Sequence, residues 1–286
     1  MRIDLHTHSS ASDGTDTPAA LMTKAAAAGL DVIGVTDHDG TAGWASAAAA
    51  RPDTVTLIRG TEFSTRVDVG GRKVSVHLLG YLFDPADPVI VAEHRRLVAE
   101  RLHRGLAMVE LMIKGGVPIS REQVLQIAGG APVGRPHIGQ ALVHAGVVET
   151  VGDAFGSHLA MGGPYYVPKV DTELPTAVEM IVAAGGAAVI AHPRARGAHR
   201  ALTGEAIGRL ADIGLAGLEM DHPDHDAAGR AEIADIAGRF DLLTTGGSDY
   251  HGTHKKLALG QQTTDPAVLD RLVARTSGVT EPLGNL

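Results

Sequence analysis

Short apolar runs rich in Val, Ile and Leu alternate with amphipathic stretches along most of this chain. Several of the runs are nearly continuous, which is typical of parallel strands buried on both faces. We predict strands at 2–6, 32–37, 55–63, 74–82, 187–191, 215–220 and 242–247. Helical periodicity falls at 18–29, 41–50, 174–185, 203–213, 227–239 and 266–275. This alternation predicts an α/β barrel.

One long stretch, residues 88–170, interrupts the alternation. It opens with an amphipathic run from Val89 to Lys114 and continues with shorter helical pieces and no convincing strand. We therefore predict an all-helical insertion domain at 88–170, carried by a barrel that is formed by residues 1–87 and 171–286.

Composition limits the chemistry and the partners. The 286 residues are enough for one large α/β domain with an insertion. The formal net charge of −8, without a Lys/Arg tract, disfavours long nucleic acid but is compatible with a local pocket for one or two phosphates. The absence of Cys excludes disulfides, thiolate metal sites and cysteine nucleophiles. A metal would be held by His, Asp and Glu, which favours Zn, Mn or Fe.

The start of the chain and its apolar runs bear on location. The N-terminus leads directly into a predicted strand, and no apolar run approaches the roughly 20 residues that span a bilayer. We predict a cytoplasmic protein without membrane contact, and we infer no obligate protein partner.

Metal-capable side chains follow the predicted strands, at or near their ends. His6 and His8 point to the same side of the first strand and can chelate one ion. Every other predicted strand also delivers such a residue, which scattered structural histidines would not do, and α/β barrels gather their chemistry at strand ends. His77 fits least well, because its predicted strand continues beyond it. The other candidates are Asp13, His38, Glu62, His192, His222, Asp249 and His251.

These residues form recognisable motifs. Thr36-Asp37-His38-Asp39, Ala191-His192-Pro193 and Ser248-Asp249-Tyr250-His251 resemble, together with His6-x-His8, Glu62 and His77, the motifs of the polymerase-and-histidinol-phosphatase (PHP) family. Their order matches, and the resemblance covers essentially the whole chain. It implies a distorted (β/α)7 TIM-like barrel that hydrolyses phosphate esters with two or three divalent metal ions.

The resemblance also implies how nine ligands divide among the metals. The first metal is assigned His6, His8, Glu62 and Asp249. Glu62 bridges to a second metal, which is also held by His77 and His192. The third metal is assigned Asp13, His38 and His251. Asp13 replaces the His of some family members, which slightly favours Mn or Fe over Zn.

Clustered divalent ions polarise phosphoryl oxygens and lower the pKa of a bridging water. The implied nucleophile is a metal-bridging hydroxide, and the predicted catalytic residues are Glu62, Asp249 and His222. His222 faces the reacting phosphate, either as a ligand or as a general acid. Asp37 and Asp39 either orient the imidazoles or are helix-cap or loop acids.

Two segments at the end of the insertion suggest how a substrate is bound. Gly134-Arg135-Pro136-His137 and Val167-Pro168-Lys169 resemble a PHP subgroup with an inserted helical domain. That subgroup removes the 3′-phosphate from 3′,5′-nucleoside bisphosphates, and some members trim short RNAs from the 5′ end. The resemblance assigns Arg135 and Lys169 to the non-reacting phosphate; the alternative is solvated surface contacts. His137 either contacts phosphate or caps a helix.

One position departs from the subgroup. A tyrosine often precedes the residue equivalent to His222, whereas here the position is Asp221, an acid that disfavours nearby phosphate. We interpret His225 as a polar loop residue.

Five functions are compatible with this pattern to different degrees. The first is a metal-dependent phosphatase that removes the 3′-phosphate of small nucleotides such as adenosine 3′,5′-bisphosphate. The second is a 5′→3′ exonuclease on short RNA or DNA, and the third is a histidinol-phosphate phosphatase, which would not explain the insertion. A non-catalytic barrel is disfavoured by the full ligand set. A C–N hydrolase would require a bridging Lys, which no predicted strand end supplies.

Overall fold

The computed structural model describes residues 1–195, 197–254 and 256–286. A curled sheet lies at its centre, with the strand order β1-β2-β3-β4-β6-β7-β8 and the short β5 paired with β3. β1 and β8 lie side by side, and Thr7 of β1 forms a bridge with Tyr250 in the segment that follows β8, so the sheet forms a distorted barrel. The predicted fold class is confirmed. The strands are β1 (Ile3–Thr7), β2 (Val32–Val35), β3 (Thr56–Val69), β4 (Arg72–Tyr81), β5 (Thr172–Glu173), β6 (Ala187–Ile190), β7 (Leu215–Asp221) and β8 (Leu243–Gly246).

Helices separate most of the strands, as the periodicity predicts. Several begin with a side chain that caps the first turn, for example Asp87, which accepts the N–H groups of Val89 and Ile90. The helices are α1 (Pro18–Ala27), α2 (Trp44–Ala49), α3 (Pro88–Lys114), α4 (Arg121–Ala128), α5 (Arg135–His144), α6 (Val151–Gly156), α7 (Leu174–Ala183), α8 (Gly204–Asp212), α9 (Ala227–Arg239) and α10 (Pro266–Ala274).

The fourth strand corrects one prediction. β3 and β4 form an antiparallel hairpin, and β4 is antiparallel to β6 as well, so the sheet is mixed. Gly70 and Gly71 have φ angles of 59° and 81°, a conformation that suits a tight hairpin turn and returns the chain directly. His77 consequently lies in the middle of β4, opposite Ser64, and not at the carboxyl end of a parallel strand.

Residues 88–170, all of which the structure describes, contain the helices α3 to α6 and no strand. Their second part has its own apolar cluster, which includes Met108 and Met112 of α3. The first part of α3 contributes Ile90 and Leu97 to the main core that lies against the sheet. The division into a barrel and an insertion domain stays a prediction.

Close backbone packing joins β1 to β2. A Cβ added at Gly34 would lie 2.3 Å from the Leu5 carbonyl oxygen, so only glycine fits without displacement of a strand. In the described ranges, no helix has the length and apolar character needed to cross a membrane. The cytoplasmic location stays a prediction.

Candidate metal centre

The nine predicted ligands lie together at one end of the barrel. His6 lies in β1, His8 directly follows that strand, and both are fully buried. His192 follows β6 and Asp249 follows β8, and both have positive φ angles, of 31° and 50°. Asp39, after β2, has a φ of 54°. Strained backbone at residues other than glycine costs of order 1–3 kcal/mol each and clusters at functional sites.

Glu62 is the centre of this cluster, and only 1% of its surface is exposed. Its Oε1 lies 2.7 Å from His77 Nδ1 and 3.1 Å from His192 Nε2. Its Oε2 faces a second group of imidazoles: His6 Nε2 at 3.4 Å, His8 Nε2 at 3.1 Å and His38 Nδ1 at 3.2 Å. The two carboxylate oxygens therefore divide the imidazoles into two sets, as a bridging ligand would.

Two aspartates extend the cluster on either side of His8. Asp249 Oδ1 lies 3.4 Å from His8 Nε2, and Asp13 Oδ1 lies 3.7 Å from His8 Nδ1. His251 Nε2 is 3.4 Å from Asp13 Oδ1, and His38 Nε2 is 3.8 Å from Asp13 Oδ2. His8 thus presents one ring nitrogen to each carboxylate.

By their geometry, three groups of side chains can each hold a metal ion, because their donor atoms lie within 4.8 Å of one another. His8 Nδ1 is buried and has no hydrogen-bond partner among the described residues. Buried polar atoms normally have a hydrogen-bond partner, and a metal ion bound to this nitrogen would account for the missing one. The donors therefore fit divalent metals. The groups are His6, His8, Glu62 and Asp249; His8, Asp13, His38 and His251; and His38, Glu62 and His77.

The acidity of these groups reflects their mutual contacts. Burial raises the pKa of Glu62, but the nearby imidazoles of His77 and His38 outweigh it and hold that pKa well below its usual range. Burial opposes protonation of His8, yet the carboxylates of Asp249 and Glu62 raise its pKa to about 9. A cation that replaces the proton on such a ring releases it, so metal affinity depends on pH.

Glu219, in β7, is a functional candidate that the sequence reasoning missed. Its Oε1 accepts a hydrogen bond from His6 Nδ1 at 2.9 Å, and its Oε2 accepts one from the His192 N–H at 2.8 Å. The first bond fixes the ring so that Nε2 faces Glu62. The available signal was an acid inside an apolar strand.

The acids beside His38 contact serines and an arginine of neighbouring segments rather than imidazoles. Asp37 accepts hydrogen bonds from the Ser9 N–H, at 2.8 Å, and the Ser12 hydroxyl, at 2.6 Å, in the loop that carries Asp13. Asp39 accepts the N–H of Ser64 and pairs with Arg101. Of the two interpretations, the loop-acid one describes both residues.

His222 is buried beside Asp249, with 3.4 Å between its Nε2 and Oδ2. The Asp224 N–H donates to its Nδ1 at 3.0 Å, so the proton of the neutral ring belongs on Nε2. This arrangement favours a hydrogen-bond donor over a metal ligand. Asp221, the departure from the subgroup, pairs with Arg230 at 3.2 Å, which compensates its charge.

A cavity of about 350 Å³ opens beside the cluster. Lys169 lines it and contacts Ser64 Oγ at 3.0 Å and Asp171 at 3.2 Å. Arg135 also lines it and lies over the Phe155 ring, 4.9 Å from the centroid. The remaining lining residues are Asp13, His38, His77, Arg101, Arg104, Pro136, Val151, Gly152 and His251.

Two predicted substrate contacts, His137 and His222, are not among the lining residues. His137 Nδ1 accepts the Gly134 N–H at 3.0 Å, the capping alternative that the sequence left open. Arg101 and Arg104 line the cavity although the sequence reasoning did not select them, because nothing in a helical run marks which arginines face a cavity.

Comparisons with known proteins agree with this geometry. A family model described as the PHP domain matches residues 4–111. The 5′-3′ exoribonuclease of Haemophilus influenzae is 35% identical over 255 residues, which cover 87% of this chain and 90% of the relative. The 3′,5′-nucleoside bisphosphate phosphatase of Chromobacterium violaceum is 33% identical over 251 residues and 87% of each chain. A Bifidobacterium adolescentis structure, provisionally described as a metal-dependent phosphoesterase, has a TM-score of 0.88 at 36% identity and 96% coverage of both chains.

Proposed function

Because the chain belongs to the PHP family of metal-dependent phosphoesterases, we propose that it removes the 3′-phosphate from small nucleotides that carry a second phosphate, such as adenosine 3′,5′-bisphosphate. One observation carries the proposal. A single cavity is lined by His38 and His77 of the metal cluster, by cations that include Arg135 and Lys169, and by the aromatic ring of Phe155. The histidines suit the reacting phosphate at the metals, the cations suit a second phosphate, and the aromatic ring suits a flat base.

The metal centre of the proposal contains two or three divalent ions, Mn, Fe or Zn, held by His6, His8, Asp13, His38, Glu62, His77, His192, Asp249 and His251. Such ions supply Lewis-acid polarisation of phosphoryl oxygens and an activated water near neutral pH. Glu62 and Asp249 are the carboxylates that hold these ions in a fixed arrangement, because their oxygens lie among the imidazoles.

Other side chains bind and orient the substrate. His222 lies beside Asp249 of the metal cluster rather than on the cavity lining, so in this proposal its Nε2 donates to a phosphoryl oxygen that reaches the metals, with the ring held by the Asp224 N–H. Arg135 and Lys169 bind the non-reacting phosphate, for which a guanidinium fork and an ammonium group are suited. The ring of Phe155 packs against the base. Residues 88–170 form the insertion domain that supplies Arg135, Phe155 and Lys169, while residues 1–87 and 171–286 form the barrel.

The first experiment measures phosphate release by Mn-loaded protein. Adenosine 3′,5′-bisphosphate is compared with 5′-AMP, histidinol phosphate and a 5′-phosphorylated RNA trimer. We expect the bisphosphate to react at least about tenfold faster than 5′-AMP and histidinol phosphate, because only it fills both phosphate positions. Comparable rates for all the monoesters would contradict the proposal.

A second candidate is a 5′→3′ exonuclease on short oligonucleotides. The 35% identity to a relative named as an exoribonuclease favours it. Faster turnover of the trimer than of the bisphosphate, with release of mononucleotides, would establish this function in place of the first.

Substitutions separate metal binding from substrate binding. We expect Glu62→Ala or Asp249→Ala to remove bound metal and activity together, because each carboxylate contacts several imidazoles. Arg135→Ala should raise KM while metal content stays normal. Metal content is measured by elemental analysis after dialysis. Full metal-dependent activity in Glu62→Ala would contradict the metal-centre assignment.

A further inference from the structure

Arg104 is a cation of the cavity to which no role has been assigned so far. It lies on α3, one turn beyond Arg101, and is only 9% exposed. Its Nε donates to the Val167 carbonyl oxygen at 2.7 Å, and its guanidinium lies 5.6 Å from the centroid of the Tyr166 ring. Arg104 is therefore held in place by a carbonyl group and an aromatic face.

Among the described residues, Arg104 differs from two neighbouring cations in having no carboxylate as an ion-pair partner. Arg101 pairs with Asp39, and Lys169 pairs with Asp171 at 3.2 Å. In the part of the chain that the structure describes, no carboxylate oxygen lies within 4.0 Å of the Arg104 guanidinium. Burial lowers the pKa of Arg104, which expresses the cost of keeping a charge there. Asp171 and the Tyr166 side chain favour the charged form, but neither forms an ion pair with Arg104 at contact distance. Buried cations are normally paired, so Arg104 can still accept an anionic partner.

The contacts of Arg104 resemble those of Arg135, which lines the same cavity. Arg135 lies over Phe155, and its NH1 is 3.5 Å from the Leu159 carbonyl oxygen. Nε of Arg104 donates to Val167, and the guanidinium also has a hydrogen bond with the Tyr166 side chain. The edge formed by the two terminal nitrogens carries four N–H groups and therefore keeps donors beyond that contact. That edge matches two oxygens of one phosphate.

We propose that Arg104 binds the non-reacting phosphate of the substrate and thereby determines the preference for nucleotides with two phosphates. This inference rests on the proposed function, which it extends by naming the residue that discriminates bisphosphates from monophosphates. A phosphate dianion would neutralise the buried guanidinium, whereas a substrate without that phosphate would leave it uncompensated.

The test compares Arg104→Gln with Arg95→Gln, a matched loss of charge at an exposed position of the same helix outside the cavity. Arg104→Gln should lower kcat/KM for adenosine 3′,5′-bisphosphate about 10- to 100-fold, since charge-assisted hydrogen bonds are lost. Activity on adenosine 3′-monophosphate should stay within about threefold. Arg95→Gln should change neither by more than about twofold. An equal loss on both substrates in Arg104→Gln would overturn the inference.

Binding of 5′-AMP to Mn-loaded protein provides a readout independent of turnover, because 5′-AMP presents only the non-reacting phosphate. Calorimetry should show affinity about tenfold weaker in Arg104→Gln and unchanged in Arg95→Gln. Failure of wild-type protein to bind 5′-AMP, or equal affinity in Arg104→Gln, would reject the role of Arg104. Weakened binding together with no bisphosphatase activity would keep Arg104 as an anion site and reject the proposed function alone.

Thermal unfolding separates a binding role from a structural one. Removal of an uncompensated buried charge should leave Tm of Arg104→Gln equal to or above that of the wild type. A Tm several degrees lower would mean that Arg104 acts through its contact with Val167 to hold the fold, which would contradict the inference.

Discussion

At the scale of single residues, Glu219 shows how a side chain outside the ligand set can determine metal binding. Its hydrogen bond from His6 Nδ1 places the ring proton on that nitrogen and leaves Nε2 as the donor atom that faces Glu62 and Asp249. The same carboxylate accepts the N–H of His192, which follows a different strand. Glu219 thus holds the ring of one predicted ligand, His6, and the backbone of another, His192.

Glu219→Ala should weaken metal affinity about 10- to 100-fold, because partners of ligating imidazoles tune their orientation and basicity to that extent. Glu219→Gln retains one acceptor and should fall between the wild type and Ala. Competitive titration with a chelator measures the affinity. Unchanged affinity in Glu219→Ala would show that packing alone orients His6.

The sequence predicts site residues correctly when those residues are close together along the chain. His6 and His8 are two positions apart at the end of β1, so their shared direction follows from extended-chain geometry. The partners Glu219 and His6 are 213 residues apart, and Arg104 meets Val167 only through tertiary packing. No local pattern encodes such pairs, and for this reason the sequence did not reveal them.

At the scale of elements, the contact between β1 and β2 positions two of the motifs. β1 carries His6 and leads directly to His8, and β2 leads to His38. Gly34 allows the strands to approach closely, since a Cβ there would lie 2.3 Å from the Leu5 carbonyl oxygen. The relative position of three predicted ligands therefore depends on the absence of one methyl group.

Gly34→Ala should lower the free energy of unfolding by about 2–3 kcal/mol and reduce metal content, because overpacking must displace a strand. The matched control is Gly238→Ala in α9, where a Cβ would meet no atom within 4 Å. That change should be neutral or stabilise by up to about 1 kcal/mol. Urea unfolding and elemental analysis provide the measurements. Equal effects of the two substitutions would contradict this account.

The direction of β4 was the wrong part of the element-level prediction. An apolar run indicates a strand but carries no information on whether its neighbour is parallel. The Gly70-Gly71 pair was the available signal, because two consecutive glycines favour a tight hairpin turn. The antiparallel return also explains how His77 reaches Glu62 from the middle of its strand.

At the scale of the whole molecule, α3 joins the helical segment to the barrel. Its Arg101 pairs with Asp39 and donates to Ser64 Oγ, beside two of the motifs. Farther toward its N-terminus, His94 stacks on Phe63, with 4.8 Å between ring centroids, and meets Phe83 at 6.0 Å. A charged pair and an aromatic cluster thus hold one helix against the sheet.

The aromatic contact makes stability depend on pH. Burial lowers the pKa of His94 to about 4, against about 6.5 in the unfolded chain. The unfolded state then binds more protons between these values, so this contribution is complete above pH 6.5 and is lost as pH falls toward 4. Between pH 7 and pH 5, wild type should lose about 2 kcal/mol more stability than His94→Phe, which keeps the ring contact. Urea unfolding at both pH values measures the difference, and identical losses would exclude a buried neutral His94.

The class of fold was predictable because the strand–helix alternation extends along most of the chain. The sequence also indicated that residues 88–170 are helical. The cavity was not predictable, because it is lined both by barrel residues such as His38 and by Arg101, Arg104 and Phe155 of the helical segment. A surface made by two regions far apart in sequence exists only after they pack.

The unbroken course of α3 has a consequence for engineering this protein. At 27 residues the helix is about 40 Å long, and it contributes Leu97 to one core and Met108 to the other. An exchange of the helical segment with that of a relative, made at residue 88, would import a new partner for the barrel core. A graft made inside α3 would instead require the register of one helix to match two hydrophobic clusters. Chimeras should therefore transfer α3 as a whole, together with compensating changes around Phe63 and Phe83.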